Sequence, residues 1–277
     1  MLVSVASAME WLPDKVTRMT EDEPRRATFR AVADEVRTRI QRGTYAPGAK
    51  LPTEGELADE IGTNRGTAAQ ALRLLASEGL IDKSRRGMFV HRIVKKIVRD
   101  STSRYVRARR EEGQARGAFE AEIRGLGMTP SSITTTQHAQ PPAWVADLLG
   151  VDGNDVSTLA RVRRMLADDV PVQLATSYLP LAIAEGTRLE EIDTGPGGSK
   201  SRLAELGHPQ ATITEEIDVR PPTAEEVGAL DMREDQRVYE IAHIGRTEDG
   251  RAVEVTVHVL PTHLWRLSYS WPLGPTH

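Results

Sequence analysis

The chain has 277 residues, 39% hydrophobic and 4% aromatic, with a formal charge of −4, enough for two modest domains with aliphatic cores. It contains no cysteine, which excludes disulfides, thiolate catalysis and Cys-based zinc sites. No window nears the roughly 18–20 uninterrupted apolar residues of a membrane span, and the opening "MLVSVASAMEWLP" lacks the basic start of a secretion signal, so a cytoplasmic protein is expected.

In chain order, residues 1–24 hold 2 Lys/Arg against 5 Asp/Glu and show no period, which predicts a disordered tail. Residues 25–99 hold 16 against 8, a balance of +8, and leave −9 for the remainder. A basic front on an acidic back predicts a polyanion-binding module joined to a part that does not touch the polyanion. Phe29, Val32, Val36 and Ile40 recur at three- and four-residue spacing, predicting an amphipathic helix over Thr28–Gln41 that ends at Gly43 and "YAPG". In "TEGE", Thr53 and Glu56 have capping-box spacing before Leu57 and Ile61 and predict a second, short helix. Gly62 suits a left-handed exit, and Asn64 caps a third helix from Arg65 to about Glu78, with Ala68, Ala71, Leu72 and Leu75 inward. "LIDKS" and "GMFVH" then read as two strands around Arg85, Arg86 and Gly87, a basic hairpin tip able to lie against a phosphate backbone.

These parts make a winged helix-turn-helix over 25–91. The N-terminal end of the third helix is the part that enters a major groove. The candidate contacts to double-stranded DNA are therefore Thr53, Glu54, Asn64, Arg65, Gly66, Thr67 and Gln70, with Arg85, Arg86 and Gly87 from the wing. Thr53 and Asn64 are explained equally well as caps. Arg65 is not, because a first helical turn disfavours positive charge.

The run Thr28–Val90, with "LPTEGELADEIG", "NRGTAAQALRLLASEGLI" and "RRGMFV", resembles the DNA-binding domain of the GntR family of bacterial transcription regulators. Regulators of that family usually carry arginine where this chain has Gly55 and Ala69, and only Arg65 of the usual arginine set is present. The resemblance thus implies the fold and the groove docking, but not the common half-site.

Residues 92–103, "RIVKKIVRDSTS", read as a linker whose first part can pair as a strand with the following domain, and a charged, alanine-rich helix is expected over Arg104–Arg124. Residues 104–277 read as a second domain. "SSITTTQHAQ", "STLARVRRMLAD", "VPVQLATSYLP", "ATITEEIDVR", "RVYEIAHIGRT" and "AVEVTVHVLP" predict six strands, with hairpins at "ADDVP" and "TEDG". Short helices are expected at Ala143–Leu149, Ser201–Leu206 and Ala224–Leu230. The fold class is therefore α+β, with an antiparallel sheet after the winged helix. "LARVRRMLADDVPVQLATSYLP" and "TGPGGSKSRLAELG" resemble the UTRA effector-binding domain of the HutC subfamily, over roughly Ser101–Trp271.

Strand alternation puts Arg161 and Arg163 on one face and Arg164 on the other, with Ser177 and Tyr178 across the hairpin. "GPGGSKS" leads into a helix whose first amides, at Gly198, Ser199 and Lys200, suit a phosphate or carboxylate. In UTRA relatives the matching strand arginines and helix-start serine contact the effector, often a phosphorylated sugar or organic acid. The resemblance so implies Arg161, Arg163 and Ser199 as effector contacts; hairpin pairing adds Ser177 and Tyr178, the helix start adds Gly198, and Glu254 on a late strand is a weaker candidate, for a small-molecule effector of open class, an anion among the candidates. The glutamate usual two residues before the hairpin serine is here Ala175. Arg161 and Arg163 also read as a structural cross-strand pair, and "GPGG" as a flexible loop.

His243, His258 and His263 fit no standard metal spacing, and no metal or other cofactor is expected. The UTRA fold resembles that of chorismate lyase, but no nucleophile with a base and no paired acid and base stand at plausible spacing, so an enzyme is not expected. The expected function is a homodimeric transcription regulator, a repressor released by a small-molecule effector. The alternative is a regulator with a degenerate pocket, switched by a protein partner or by its own concentration.

Overall fold

The computed structural model describes residues 28–106 and 115–271; the tail expected to be disordered lies outside them. The first domain opens with α1 (Phe29–Gln41), whose Thr28 cap accepts from the Ala31 amide. In α2 (Glu54–Ile61) both halves of the Thr53/Glu56 capping box form, and Gly62 leaves the helix at φ 75°. α3 (Arg65–Ser77) is capped by Asn64. Its C-terminus closes with Gly79 N–H on Ala76 O (3.0 Å) and Leu80 N–H on Leu75 O (3.0 Å), a Schellman pair in which Gly79 takes φ +74°. Val32, Val36, Leu57, Leu72, Leu75 and Ile81 form the aliphatic core.

The wing pairs β1 (Ile81–Ser84) with β2 (Gly87–Val90) antiparallel. Residues 48–51 add a third edge to it: Leu51 N–H meets Met88 O at 2.9 Å, and Lys50 bridges Phe89. β3 (Ile97–Asp100) falls inside the segment read as linker and pairs parallel with β10 (Trp265–Ser268), a strand absent from the sequence reading. Of the helix expected over Arg104–Arg124, residues 104–106 form a turn, residues 107–114 lie outside the described part, and only α4 (Ala118–Gly125) is helical among the described residues.

The second domain is built on β4 (Pro130–Ala139), β5 (Thr158–Ala167), β6 (Val170–Pro180), β7 (Thr212–Arg220), β8 (Val238–Arg246) and β9 (Ala252–Pro261). They form one antiparallel sheet in the order β4-β5-β6-β9-β8-β7. Asp168 and Asp169, at φ 48° and 64°, make the tight turn between β5 and β6, as the "DD" dipeptide suggested. α5 (Ala143–Leu149) and α8 (Ala224–Leu230) cover one face, packing on Val255 and Val259 respectively. On the other face lie α4, α6 (Leu181–Ala184) and α7 (Gly198–Glu205), the last beginning three residues before the helix read from sequence. Trp265, fully buried, donates its indole N–H to Val172 O at 2.6 Å. Among the described residues no helix is long and apolar enough to cross a membrane.

The two domains meet behind α3. Gly79 abuts His263, whose ring stands edge-on to His91 at 5.7 Å, and Gln236 reaches Ala76 O at 3.5 Å. Burial, with the charges of His91 and Lys96, depresses the His263 pKa to about 3. The N-terminal end of α3 points away from this seam.

Candidate nucleic-acid interface and ligand cavity

On the first domain, the residues expected to meet DNA divide into supports and free groups. Thr53 is spent in the capping box, its N–H and Oγ1–H both on Glu56 Oε2 at 2.8 Å. Asn64 Oδ1 accepts from Thr67 N–H at 2.9 Å, so its carbonyl is occupied by capping. Glu54 holds Arg65 through Oε2···Nε at 3.3 Å, which makes Glu54 a steering group for Arg65; the arginine side chain remains 79% exposed. Gln70 is exposed, and Arg73, which the sequence reading missed, is exposed on the same stripe, one turn beyond Gln70 and two beyond Gly66. At the wing, Ser84 Oγ takes the Arg86 N–H at 3.1 Å and orders the tip. Gly87 has φ +126°, and a Cβ there would come within 3.0 Å of Lys50 Cε. Lys50, Arg65, Lys83 and Arg86 border one notch between wing and helix-turn-helix. Lys50 and Lys83 are also additions to the sequence reading. A Cβ at Gly55 would meet nothing within 4 Å, so close packing does not require glycine there.

On the second domain, a cavity of about 420 Å³ opens on the face carrying Arg161 and Arg163, within the usual size of a small-molecule site. Arg161 lines it, but its guanidinium is largely consumed: it donates to Leu189 O, to Glu191 O at 2.6 Å and to Ile192 O at 3.1 Å. It therefore tethers the loop before α7, with a contact to a ligand at most secondary. Arg163 donates to Ser177 Oγ, and its Nε has no hydrogen bond among the described residues. Ser177, 1% exposed, lies outside the wall and supports Arg163, taking a second bond with Thr256 Oγ1 at 2.6 Å. Tyr178 is placed otherwise than expected. Strand alternation turns it to the opposite face, against the α5 core with Val145 and Leu149, so it cannot reach the cavity.

The start of α7 is occupied by the protein's own carboxylate. Glu254, 3% exposed, accepts from Ser199 Oγ (2.8 Å) and Gln210 Nε2 (2.8 Å) and pairs with Lys200 at 3.5 Å. Burial raises its pKa, but Lys200, His243 and the hydrogen bonds outweigh that and bring it to about 2. Gly198, at φ +69°, lets the turn approach Arg116 O, which a Cβ would meet at 2.9 Å. Lys200 also bonds Gln210 and contacts His243 Nε2 at 2.8 Å. Burial first, then Lys200, lowers the His243 pKa to about 4.

Beside this lies a second buried group. Glu215 accepts from Arg99, Tyr105 and Ser101, the last at 2.9 Å, and so fastens the segment after β3 to β7. Burial pushes the Glu215 pKa up, but His243, Tyr105 and Ser101 bring it to about 2. Gln210, Arg104 and His258 are cavity-side residues, or neighbours of them, that sequence reasoning did not select as ligand contacts, and Lys200 was selected for its amide, not for its side chain. Their side-chain partners lie from 10 residues away, for Lys200 and Gln210, to 85, for His258 and Gln173, and no local pattern marks them.

Comparison with known proteins agrees with this geometry. Residues 28–90 match the family of bacterial regulatory proteins, gntR family, and residues 125–264 match the UTRA domain. An uncharacterized HTH-type transcriptional regulator of Streptomyces coelicolor is 31% identical over 90% of this chain and 95% of its own length. The HTH-type transcriptional repressor NagR of Bacillus subtilis is 25% identical over 80% of this chain and 86% of its own. The crystal structure of PhnF from Mycobacterium smegmatis superposes with a TM-score of 0.55 at 21% identity, over 88% of this chain and 100% of that one, a likeness of fold. With its wing and capped recognition helix ahead of a six-stranded sheet that encloses a charged cavity, the chain belongs to the GntR family, as a HutC-type transcriptional regulator with a DNA-binding helix-turn-helix and a UTRA effector-binding domain.

Proposed function

We propose that the chain acts as a homodimeric repressor in the cytoplasm, releasing its operator when a small anionic molecule fills the cavity. The observation that carries this reading is the charge of the cavity wall, where five Lys/Arg side chains stand against three carboxylates. Such an excess favours a negatively charged guest in a partly desolvated space. That NagR is a repressor supports the direction of control. A dimer supports two-fold operator binding, since each winged helix reads one half-site. Release requires the guest to prefer a dimer geometry unsuited to the operator, because equal affinity for both geometries shifts nothing. The test is footprinting of the full chain on genomic fragments, followed by a panel of phosphorylated sugars and organic acids. The expected result is a two-fold protected site that one acid releases. A monomer that binds no DNA in a salt-dependent manner, or a footprint that no acid alters, refutes the reading.

A further inference from the structure

At the start of α7 the charges are matched within the protein, Glu254 by Lys200, Ser199 and Gln210. The wall formed by the segment after β3 is different. Arg104 lines the cavity there with its side chain 5% exposed. Its Nε and Nη1 make no hydrogen bond among the described residues, and the nearest carboxylate oxygen, Glu122 Oε1, stands 3.5 Å from Nε. Both Glu122 oxygens are themselves buried without hydrogen bonds among the described residues, and burial lifts the Glu122 pKa to about 7 despite Arg104; burial opposes the Arg104 charge too, but Glu122 and Glu215 outweigh it, so what the pair lacks is directional bonds. Across the cavity Arg163 has an equally unmet Nε. Arg104 and Arg163 thus line one cavity with unmet donors, and His258 in the same wall has its pKa held well below 6.5 by burial first and then by the charges of His243, Arg104, Arg163 and Lys200.

Buried guanidinium donors without acceptors are costly, and an arriving acid group removes that cost while forming charge-assisted bonds. We infer that Arg104 and Arg163 together form the seat for the effector's acidic group, away from the start of α7, and that Arg104 thereby ties the bound molecule to the segment joining the two domains. The inference rests on the anionic-effector reading above. It identifies the guest's recognised end as a compact group with two or more acceptor oxygens, a carboxylate or a phosphate, able to take a donor from each arginine. Arg104 lies four residues beyond β3, next to Tyr105 and Ser101, which bind Glu215. A guest held there pulls on the same stretch of chain that leads back to the wing.

The test is a titration of the full chain with inorganic phosphate at constant ionic strength, read by melting temperature and calorimetry, with citrate as the carboxylate probe. Wild type should show a saturable response. Arg104→Gln and Arg163→Gln should each raise the midpoint tenfold or more, whereas Ser199→Ala and the DNA-side variant Arg65→Ala should leave it within twofold. Glu122→Gln should lower the midpoint severalfold by releasing Arg104 from its counterion, a gain that a merely damaged pocket does not give. If Arg104→Gln fails to fold, Glu122→Gln decides, and an unchanged or weakened response there overturns the inference. A normal response in Arg104→Gln, or a tenfold loss in Ser199→Ala, sinks the Arg104 seat while leaving the anionic effector standing. A wild-type protein unresponsive to both phosphate and citrate overturns both.

Discussion

Replacing Gly79 by alanine perturbs two things at once, and the structure separates them. The first is local: Gly79 sits at φ +74° as the left-handed residue of the Schellman pair after α3, where a Cβ costs about 1–2 kcal/mol. The second is between domains, because a Cβ there would stand 2.7 Å from the His263 Cβ and closer still to its ring. Overpacking of that kind costs typically about 1–3 kcal/mol. Gly79→Ala should therefore destabilise the winged helix by about 2–5 kcal/mol in the native background. In a His263→Gly background, which removes the His263 Cβ as well as the ring, the same change should cost only the local part. The four proteins form a double-mutant cycle with an expected coupling of about 1–3 kcal/mol. Calorimetry of the full chain can follow it, since a domain of the winged helix's size shifts by roughly 4–8 °C per kcal/mol. Equal costs of Gly79→Ala in both backgrounds would refute the claim that the domains are docked through this contact.

Other predictions concern each face in turn. Arg65→Ala should cost about 1–3 kcal/mol at the specific DNA site, whereas Arg86→Ala should weaken all duplexes alike and reduce the salt slope by about 0.9; normal operator binding by Arg65→Ala in a mobility-shift titration would overturn the docking of α3. Selection from a random DNA pool should not return the common family half-site, since Gly55 and Ala69 replace two customary arginines. Arg161→Ala should destabilise the second domain in urea by about 1–3 kcal/mol or more, because three carbonyls lose their donor, and Arg161→Lys should recover little; a neutral outcome would show that the tether carries no weight. With His243 at about 4 and His263 at about 3, the unfolded chain takes up protons below the ordinary value of 6.5 before the folded one does. Stability should thus fall as pH drops from 7 to 5. Glu122, raised to about 7, has the opposite sign between 4.5 and 7, so Glu122→Gln should steepen that fall; an unchanged slope of melting temperature against pH contradicts the assignment.

The first domain was legible because its signals are local. Thr53 with Glu56, Gly62, Asn64 and the "RRG" tip each act within a few residues, and all the elements they predict are present. The six strands of the sheet were legible from alternation and turn chemistry. The cavity was only partly so. Alternation correctly places Arg161 and Arg163 together, and the same rule, applied one residue further, excludes Tyr178. That Arg161 is spent on the 189–192 loop depends on where Leu189 packs in the core, which no local pattern encodes. The match of Glu254 to Ser199 spans 55 residues, and the burial of Arg104 depends on α4 and β7 closing around a segment that reads from sequence as a charged helix.

The parallel pairing of β3 with β10 has a mechanical meaning. Their four register pairs, from Trp265↔Ile97 to Ser268↔Asp100, lie side by side, so a pull along the chain from the wing loads all of them together in shear. A hairpin loaded at its open end would instead unzip one rung at a time. Trp265, anchored in the core through Val172, acts as the bolt of this joint. Between the joint and the wing, Ile93 is buried in the second domain's core, and Arg92 and Lys96 donate to Asp168 O and Thr262 O, so the short connecting span is itself held to the second domain. Motion of the second domain's β3 edge is passed to the wing across that short span, as through a stiff coupling.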